Sequence, residues 1–255
     1  MKLAWATKFT CRLGWIGCLL LSALAPAKAG EALPGGFIRL REIAPGIRQD
    51  IRYASAFNFT GAAVAGYGRA DCVLTQAAGQ ALIRVEARLG TSGYALKLFD
   101  CYRPARAVRA FLAWAQDGKA SDFGRIFHPD VAKDMLVARG FIASVSSHSR
   151  GSTVDVGLVS RNEPALPTPA RGGRCDGPLQ ERPQEMSLDL GTSFDCFSAK
   201  SAGRDPSVGP DAFRHRTILR DAMKAEGFRG YGREWWHFTL ANEPFPKTIF
   251  DFAIE

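Results

Sequence analysis

Apolar residues recur at helical spacing in several stretches of the chain and cluster in short runs elsewhere. Ala78, Leu82, Val85 and Leu89 share one face of a predicted helix from Thr75, an N-cap residue, to Arg88, with Gly90 as its terminator. Pro104 opens a second helix at the first-turn position where proline is tolerated, and Val108, Phe111, Leu112 and Ala115 make its apolar face. A third helix is expected from Asp130 to Arg139, stopped by Gly140, and a last one from Asp211 to Glu226. Phe37–Ile43 and Ile47–Tyr53 read as two strands joined by a Pro45-Gly46 turn, a hairpin. Tyr94–Phe99, the β-branched run Thr153–Val159 and Phe238–Leu240 are further strands, with Thr153–Val159 placed centrally. Asn58–Asp71 is a loop rich in Gly and Ala, and Arg161–Asp189 is a long surface loop rich in Pro, Gly and charge. Strands and helices do not alternate regularly and no repeat is visible. The expected class is therefore α+β, a single domain with a central antiparallel sheet flanked by helices.

The first 29 residues are expected to stand outside that domain. Lys2, Lys8 and Arg12 precede an apolar run from Leu13 to Ala25, and Ala27-Lys28-Ala29 forms an A-x-A cleavage pattern. The run is too short for a comfortable transmembrane span, so a signal peptide is favoured over an uncleaved anchor. The domain then covers residues 30–255, long enough for one well-packed core. The leader holds four of the 33 basic residues, which leaves 29 against 25 acidic ones and reduces the net charge from +8 to +4. The arginines are scattered, and no basic run is interleaved with aromatics. Neither a nucleic acid nor a stable membrane partner is expected.

Cys11 and Cys18 fall in the leader, and Cys72, Cys101, Cys175 and Cys196 remain. An even number in an exported chain favours two disulfides, with three connectivities open. Cys72–Cys101 and Cys175–Cys196 are preferred because each pair brackets a compact stretch; the second would tie down the long loop. A cysteine-rich zinc site is disfavoured by the absence of any C-x-x-C spacing.

Two stretches carry the chemistry. The first is Ser146-Ser147-His148-Ser149-Arg150-Gly151-Ser152-Thr153-Val154-Asp155 and the second is Glu234-Trp235-Trp236-His237-Phe238. His148, Asp155 and His237 would give three protein ligands with a fourth position left for water, the pattern of a catalytic zinc site. Gly151 and its neighbouring serines suggest the turn that lets His148 and Asp155 converge. On a regular strand, residues three apart face opposite sides. Glu234 must therefore sit in a bend before the strand if it is to face the metal as an unligated base. A metal-activated water, a carboxylate to take its proton and a cation for the carbonyl oxygen would complete amide hydrolysis. Arg103, in Asp100-Cys101-Tyr102-Arg103-Pro104 between a strand end and a helix start, is the candidate cation. His128 and His215 read as surface or helix-end residues rather than ligands.

With these residues named, the sequence resembles the D-alanyl-D-alanine dipeptidases of the zinc D,D-peptidase and hedgehog-like group, peptidase family M15. The resemblance rests on the D-x-Y-R-P stretch at 100–104, S-S-H-S-R-G-S-x-x-D at 146–155 and E-W-W-H at 234–237. Asn58-Phe59-Thr60-Gly61 and Phe250-Asp251-Phe252 add to it. It implies one zinc held by His148, Asp155 and His237, with Glu234 as general base and acid and Arg103 on the tetrahedral intermediate. It further implies that Ser146 and Asp195 lie near the charged ends of a small-molecule substrate, D-Ala-D-Ala, with Tyr53 close by. The leader, the cysteines and the longer 161–189 loop depart from the family pattern. They point to a periplasmic or secreted protein engaged in wall-dipeptide turnover. The rival readings are a D,D-carboxypeptidase acting on peptidoglycan stem peptides and a non-catalytic zinc- or wall-binding module.

Overall fold

The computed structural model describes residues 1–2, 32–121, 123–162, 172–183 and 185–255. Apart from Met1 and Lys2, the proposed leader lies outside the described residues, as do positions 163–171 of the long loop. Ala32–Glu255 forms one compact unit. Its elements are β1 (Phe37–Arg39), α1 (Leu40–Ile43), β2 (Arg48–Gln49), β3 (Val73–Thr75), α2 (Gln76–Gly90), β4 (Tyr94–Asp100), α3 (Ala105–Ala115), α4 (Gly124–Phe127), β5 (Thr153–Ser160), α5 (Pro210–Ala225), β6 (Phe228–Gly230) and β7 (His237–Leu240).

The fold is α+β, as the irregular order of elements predicts. A five-stranded sheet runs β2-β4-β5-β7-β6, antiparallel except for the parallel β2–β4 pair, and β1 and β3 form a separate antiparallel pair. β5 is central, and β4 and β5 are buried along nearly their whole length, which suits their continuous apolar runs. α2 packs on β4 and on α5, which in turn covers β5 and β6. The Thr75 hydroxyl caps α2 by accepting from Ala78 N at 3.3 Å. Pro104 is the N-cap of α3 rather than its first residue, and Leu112 is only half-buried on a face made by Ala107, Val108, Phe111 and Ala115.

Two sequence expectations are corrected. The Phe37–Tyr53 hairpin does not form, because β1 pairs with β3 and β2 joins β4 in parallel. Leu40 turns instead into a helical turn and is completely buried. Short apolar runs of this kind satisfy a strand or a packed turn equally well. The helix expected over Asp130–Arg139 is also absent. Only a 3-10 turn, Lys133–Met135, forms there, and Leu136 is the sole buried residue of the stretch, so no apolar face exists to hold a longer helix. Gly140 nevertheless has the positive φ, +78°, expected of a terminator.

Both preferred disulfides, Cys72–Cys101 and Cys175–Cys196, are present. The described part of the long loop is less superficial than its composition suggests. Asp176, Arg182 and Glu185 are buried, Leu188 N donates to Leu158 O, and the Glu185 carboxylate accepts from Phe194 N at 2.8 Å. The loop thereby fixes the backbone just before Asp195.

Candidate active site

The strand ladder gathers the chemistry. Asp155 of β5 stands opposite His237 of β7 on one side and Asp100 of β4 on the other. Between Leu98 and Asp100 the β4–β5 register shifts, leaving Phe99 as an extra residue. Leu98 and Asp100 would share a face on a regular strand, and Val156 and Asp155 would not. The bulge therefore turns Asp100 onto the Asp155 side.

His148 arrives from the 3-10 turn Ser147–Arg150, whose N-cap is Ser146, with its hydroxyl accepting from His148 N at 3.2 Å. Gly151 follows at φ +81°, and a Cβ there would stand 2.2 Å from a Phe37 ring carbon. Only glycine allows both the left-handed backbone and this close approach. The chain reverses at this point, and Asp155 comes back alongside His148.

Three donor atoms converge. His148 Nε2 is 3.3 Å from Asp155 Oδ1, His237 Nδ1 is 3.2 Å from the same oxygen, and the two nitrogens are 3.2 Å apart. Zinc bonds of about 2.0–2.2 Å at tetrahedral angles set ligand atoms roughly 3.3–3.5 Å apart, so this triangle fits such an ion. Asp155 Oδ1 is also a buried oxygen without a hydrogen-bond partner among the described residues, as a metal-directed atom would be. His148 Nδ1 lies 2.7 Å from Cys101 O and donates to it, which leaves the Nε2 lone pair for the metal. His237 Nε2 meets Ser147 Oγ at 3.2 Å and is fixed in the same way. Burial keeps His148 neutral despite the pull of Asp155. Burial also acts to raise the Asp155 carboxyl, but His148 and His237 outweigh it and hold it below the usual carboxylate range.

Glu234 sits in the turn before β7, where Glu234 N donates to Tyr231 O at 3.2 Å. Its Oε2 is 3.6 Å from His237 Nδ1, beside the donor triangle but outside it. Burial pushes this carboxyl up to about 7, against His237 and Arg103 and with Asp155 assisting. Trp235 and Trp236 brace the turn: Trp235 Nε1 donates to Thr192 Oγ1 at 2.8 Å and Trp236 packs edge-on against Phe194.

Arg103 is held from three sides. Its Nε donates to Asp100 Oδ2 at 2.9 Å, a terminal nitrogen stands 3.4 Å from Asp155 Oδ2, and the guanidinium lies over the rings of Tyr53 and Phe111. The other Asp100 oxygen accepts from Tyr67 OH at 2.7 Å. Sequence reasoning assigned no part to Asp100, Tyr67, Ser147 or the Cys101 carbonyl. Asp100 was visible in the D-x-Y-R-P stretch, whereas the Tyr67 contact crosses a loop and leaves no periodic trace.

All eight anticipated residues (Tyr53, Arg103, Ser146, His148, Asp155, Asp195, Glu234 and His237) line one cavity of about 360 Å³. That is near the small end of ligand pockets, which span roughly 300–1,000 Å³. Asp195 is buried, has φ +59° and accepts from Tyr53 OH at 2.8 Å. Burial, with Asp155 and Glu234 adding to it, raises its carboxyl well above the usual range against Arg103 and Tyr53. His128 and His215 lie outside the cavity; His128 is a helix-end residue, the C-cap of α4, whereas His215 sits inside α5, and neither is a surface residue. Both are buried, with Nδ1 at 2.8 Å from the carbonyls of Val131 and Asp189.

This arrangement is that of a metal-dependent hydrolase, and sequence comparison agrees. The family model for D-Ala-D-Ala dipeptidases, Peptidase_M15, matches residues 34–166 and 160–255. A D-alanyl-D-alanine dipeptidase of Streptomyces coelicolor is 36% identical over 222 residues, covering 87% of this chain and all of the relative. One of Enterococcus faecalis is 33% identical over the same span, and one of Escherichia coli is 31% identical over 80% of this chain and 83% of its own. The chain thus belongs to the M15 peptidase family of D-Ala-D-Ala dipeptidases and is a metallopeptidase.

Proposed function

We propose that the protein hydrolyses D-Ala-D-Ala to two D-alanines with one zinc ion held by His148 Nε2, Asp155 Oδ1 and His237 Nδ1. The observation that carries this reading is the set of three buried donors at tetrahedral spacing with Glu234 beside them. When bound, the zinc would polarise the attacking water and the scissile carbonyl. Glu234 takes a proton from the water and delivers it to the departing amine, a task suited to a carboxyl near neutrality. Arg103, kept charged by Asp100, donates to the oxygen on which negative charge develops.

Asp195 supports the dipeptidase over a carboxypeptidase. Burial pushes the Asp195 carboxyl toward its neutral form, and the free ammonium of a dipeptide would supply the counter-ion that favours the ionised form. An acylated stem peptide has no such charge. By the family resemblance, Ser146, which also lines the cavity, would meet the substrate carboxylate. The two disulfides favour an oxidising compartment, so we place the enzyme in the periplasm or outside the cell, acting on wall-derived dipeptide. Comparing hydrolysis of D-Ala-D-Ala with that of its N-acetyl form tests the reading. The free dipeptide should be cleaved and the acylated one spared; equal cleavage of both would favour the carboxypeptidase.

A further inference from the structure

Behind the catalytic cavity lies a second, larger groove of about 680 Å³ between α5, β6 and the segment 202–206. Tyr231 and Glu234 line both spaces, so the two share a wall. The groove is strongly cationic: Arg204, Arg216, Arg220, Lys224 and Arg229 face only two carboxylates, Asp205 and Glu234. Asp205 is occupied in capping Ser207 N at 2.8 Å. Arg220 is paired with its neighbour Asp221. Arg204, Lys224 and Arg229 are exposed and form no side-chain hydrogen bond or ion pair among the described residues.

Arg216 is the buried cation of this wall: it is only 3% exposed, its guanidinium donates to the carbonyls of Leu190, Lys200 and Ala202 and lies over the Trp235 ring, and Asp205 and Asp189 supply its nearest opposing charge. With Asp205 drawn to Arg216, it does not balance the exposed Arg204, Lys224 and Arg229. The remaining walls favour a peptide over a bare ion. Phe228, Trp235 and Phe238 give an apolar floor. β6 is the last strand of its sheet. Tyr231 N donates to His237 O and Ala241 N to Gly227 O. By antiparallel alternation the backbone groups of Phe228 and Gly230 then point away from β7, where an added strand could meet them.

We propose that this groove is a docking site for an extended, carboxylate-bearing peptide laid along the outer edge of β6. The site is separate from the dipeptide cavity and does not depend on which bond the enzyme cleaves.

The test uses the zinc-loaded full chain and a peptide without a D,D-bond. Calorimetry with N-acetyl-Glu-Ala-Glu-Ala-amide should show binding that weakens as salt is raised, whereas the Gln-Ala-Gln-Ala counterpart should bind at least roughly tenfold more weakly. The R204E/K224E/R229E variant should lose at least roughly tenfold in affinity for the acidic peptide while keeping its melting temperature and zinc content. Should it fold poorly, the milder K224Q/R229Q pair reads the same effect. The proposal is overturned if the wild type binds neither peptide, if neither variant weakens binding, or if inorganic phosphate displaces the peptide with equal affinity.

Discussion

Replacing Asp100 by asparagine would separate the positioning of Arg103 from the chemistry of the metal. Asp100 is fully buried, and its two oxygens accept from Tyr67 OH at 2.7 Å and Arg103 Nε at 2.9 Å. An asparagine has one acceptor oxygen and no charge, so either Arg103 Nε loses its acceptor, or Tyr67 OH turns to accept the amide N–H and Arg103 loses only its carboxylate partner. The loss to Arg103 is at most one hydrogen bond to a charged group, about 1.5–3 kcal/mol. Freed on that side, Arg103 would turn toward Asp155 Oδ2, now 3.4 Å away. If Arg103 acts on charge that develops only in the transition state, the loss falls on kcat and leaves KM nearly unchanged. We expect a decrease in kcat of up to roughly 10- to 150-fold. Asp100 Oδ2 also stands 3.4 Å from His148 Nδ1, so the decrease is counted per zinc-loaded chain. Steady-state release of D-alanine, with metal analysis of the same preparation, reads both quantities. A kcat within about twofold of the wild type would refute the positioning argument.

Glu234→Gln should retain zinc and lose roughly 10²- to 10⁴-fold in kcat, measured on D-Ala-D-Ala at neutral pH. The same substitution has a stability signature in metal-free protein. A carboxyl raised from 4.5 to about 7 on folding contributes stability that is present below 4.5 and lost as pH rises through 7. Relative to wild type, Glu234→Gln should therefore gain a few kcal/mol between pH 4.5 and 8 in urea titrations with chelator; a pH-independent difference would contradict this. Gly151→Ala should destabilise the fold by about 1–2 kcal/mol for the left-handed backbone and a further 1–3 for crowding Phe37, with weakened zinc affinity, read by thermal melting and metal titration. Removing Cys72–Cys101, which closes a separation of 29 residues, should cost about 3–4 kcal/mol in denaturant titration.

The candidate donors His148, Asp155 and His237, and Glu234 beside them, are legible in the sequence because they lie in short stretches whose turns are written in glycine and serine. Gly151 marks the reversal that joins His148 to Asp155, and the bend before Trp235 was required by strand alternation alone. The part of Asp100 was not legible, since the face it occupies is decided by one extra residue at Phe99, and a bulge has no periodic signature. β6 escaped for a related reason: three residues, Phe228-Arg229-Gly230, are too few to show alternation. The false hairpin at Phe37–Tyr53 marks the opposite failure. Phe37, Leu40, Ile47, Ile51 and Tyr53 are buried, but long-range pairing with Val73–Thr75 and with β4 decides their backbone. Burial of His128 and His215 likewise followed from loop carbonyls that meet them only in three dimensions.

The central claim is that one zinc on His148, Asp155 and His237 drives dipeptide hydrolysis. Stripping the protein with a chelator and restoring zinc stepwise, while following D-alanine released from D-Ala-D-Ala, tests it most directly. Activity should rise in proportion to zinc and level off at about one ion per chain, as a single three-donor site requires. No release of D-alanine at saturating zinc, or full release from the stripped protein, would contradict the account.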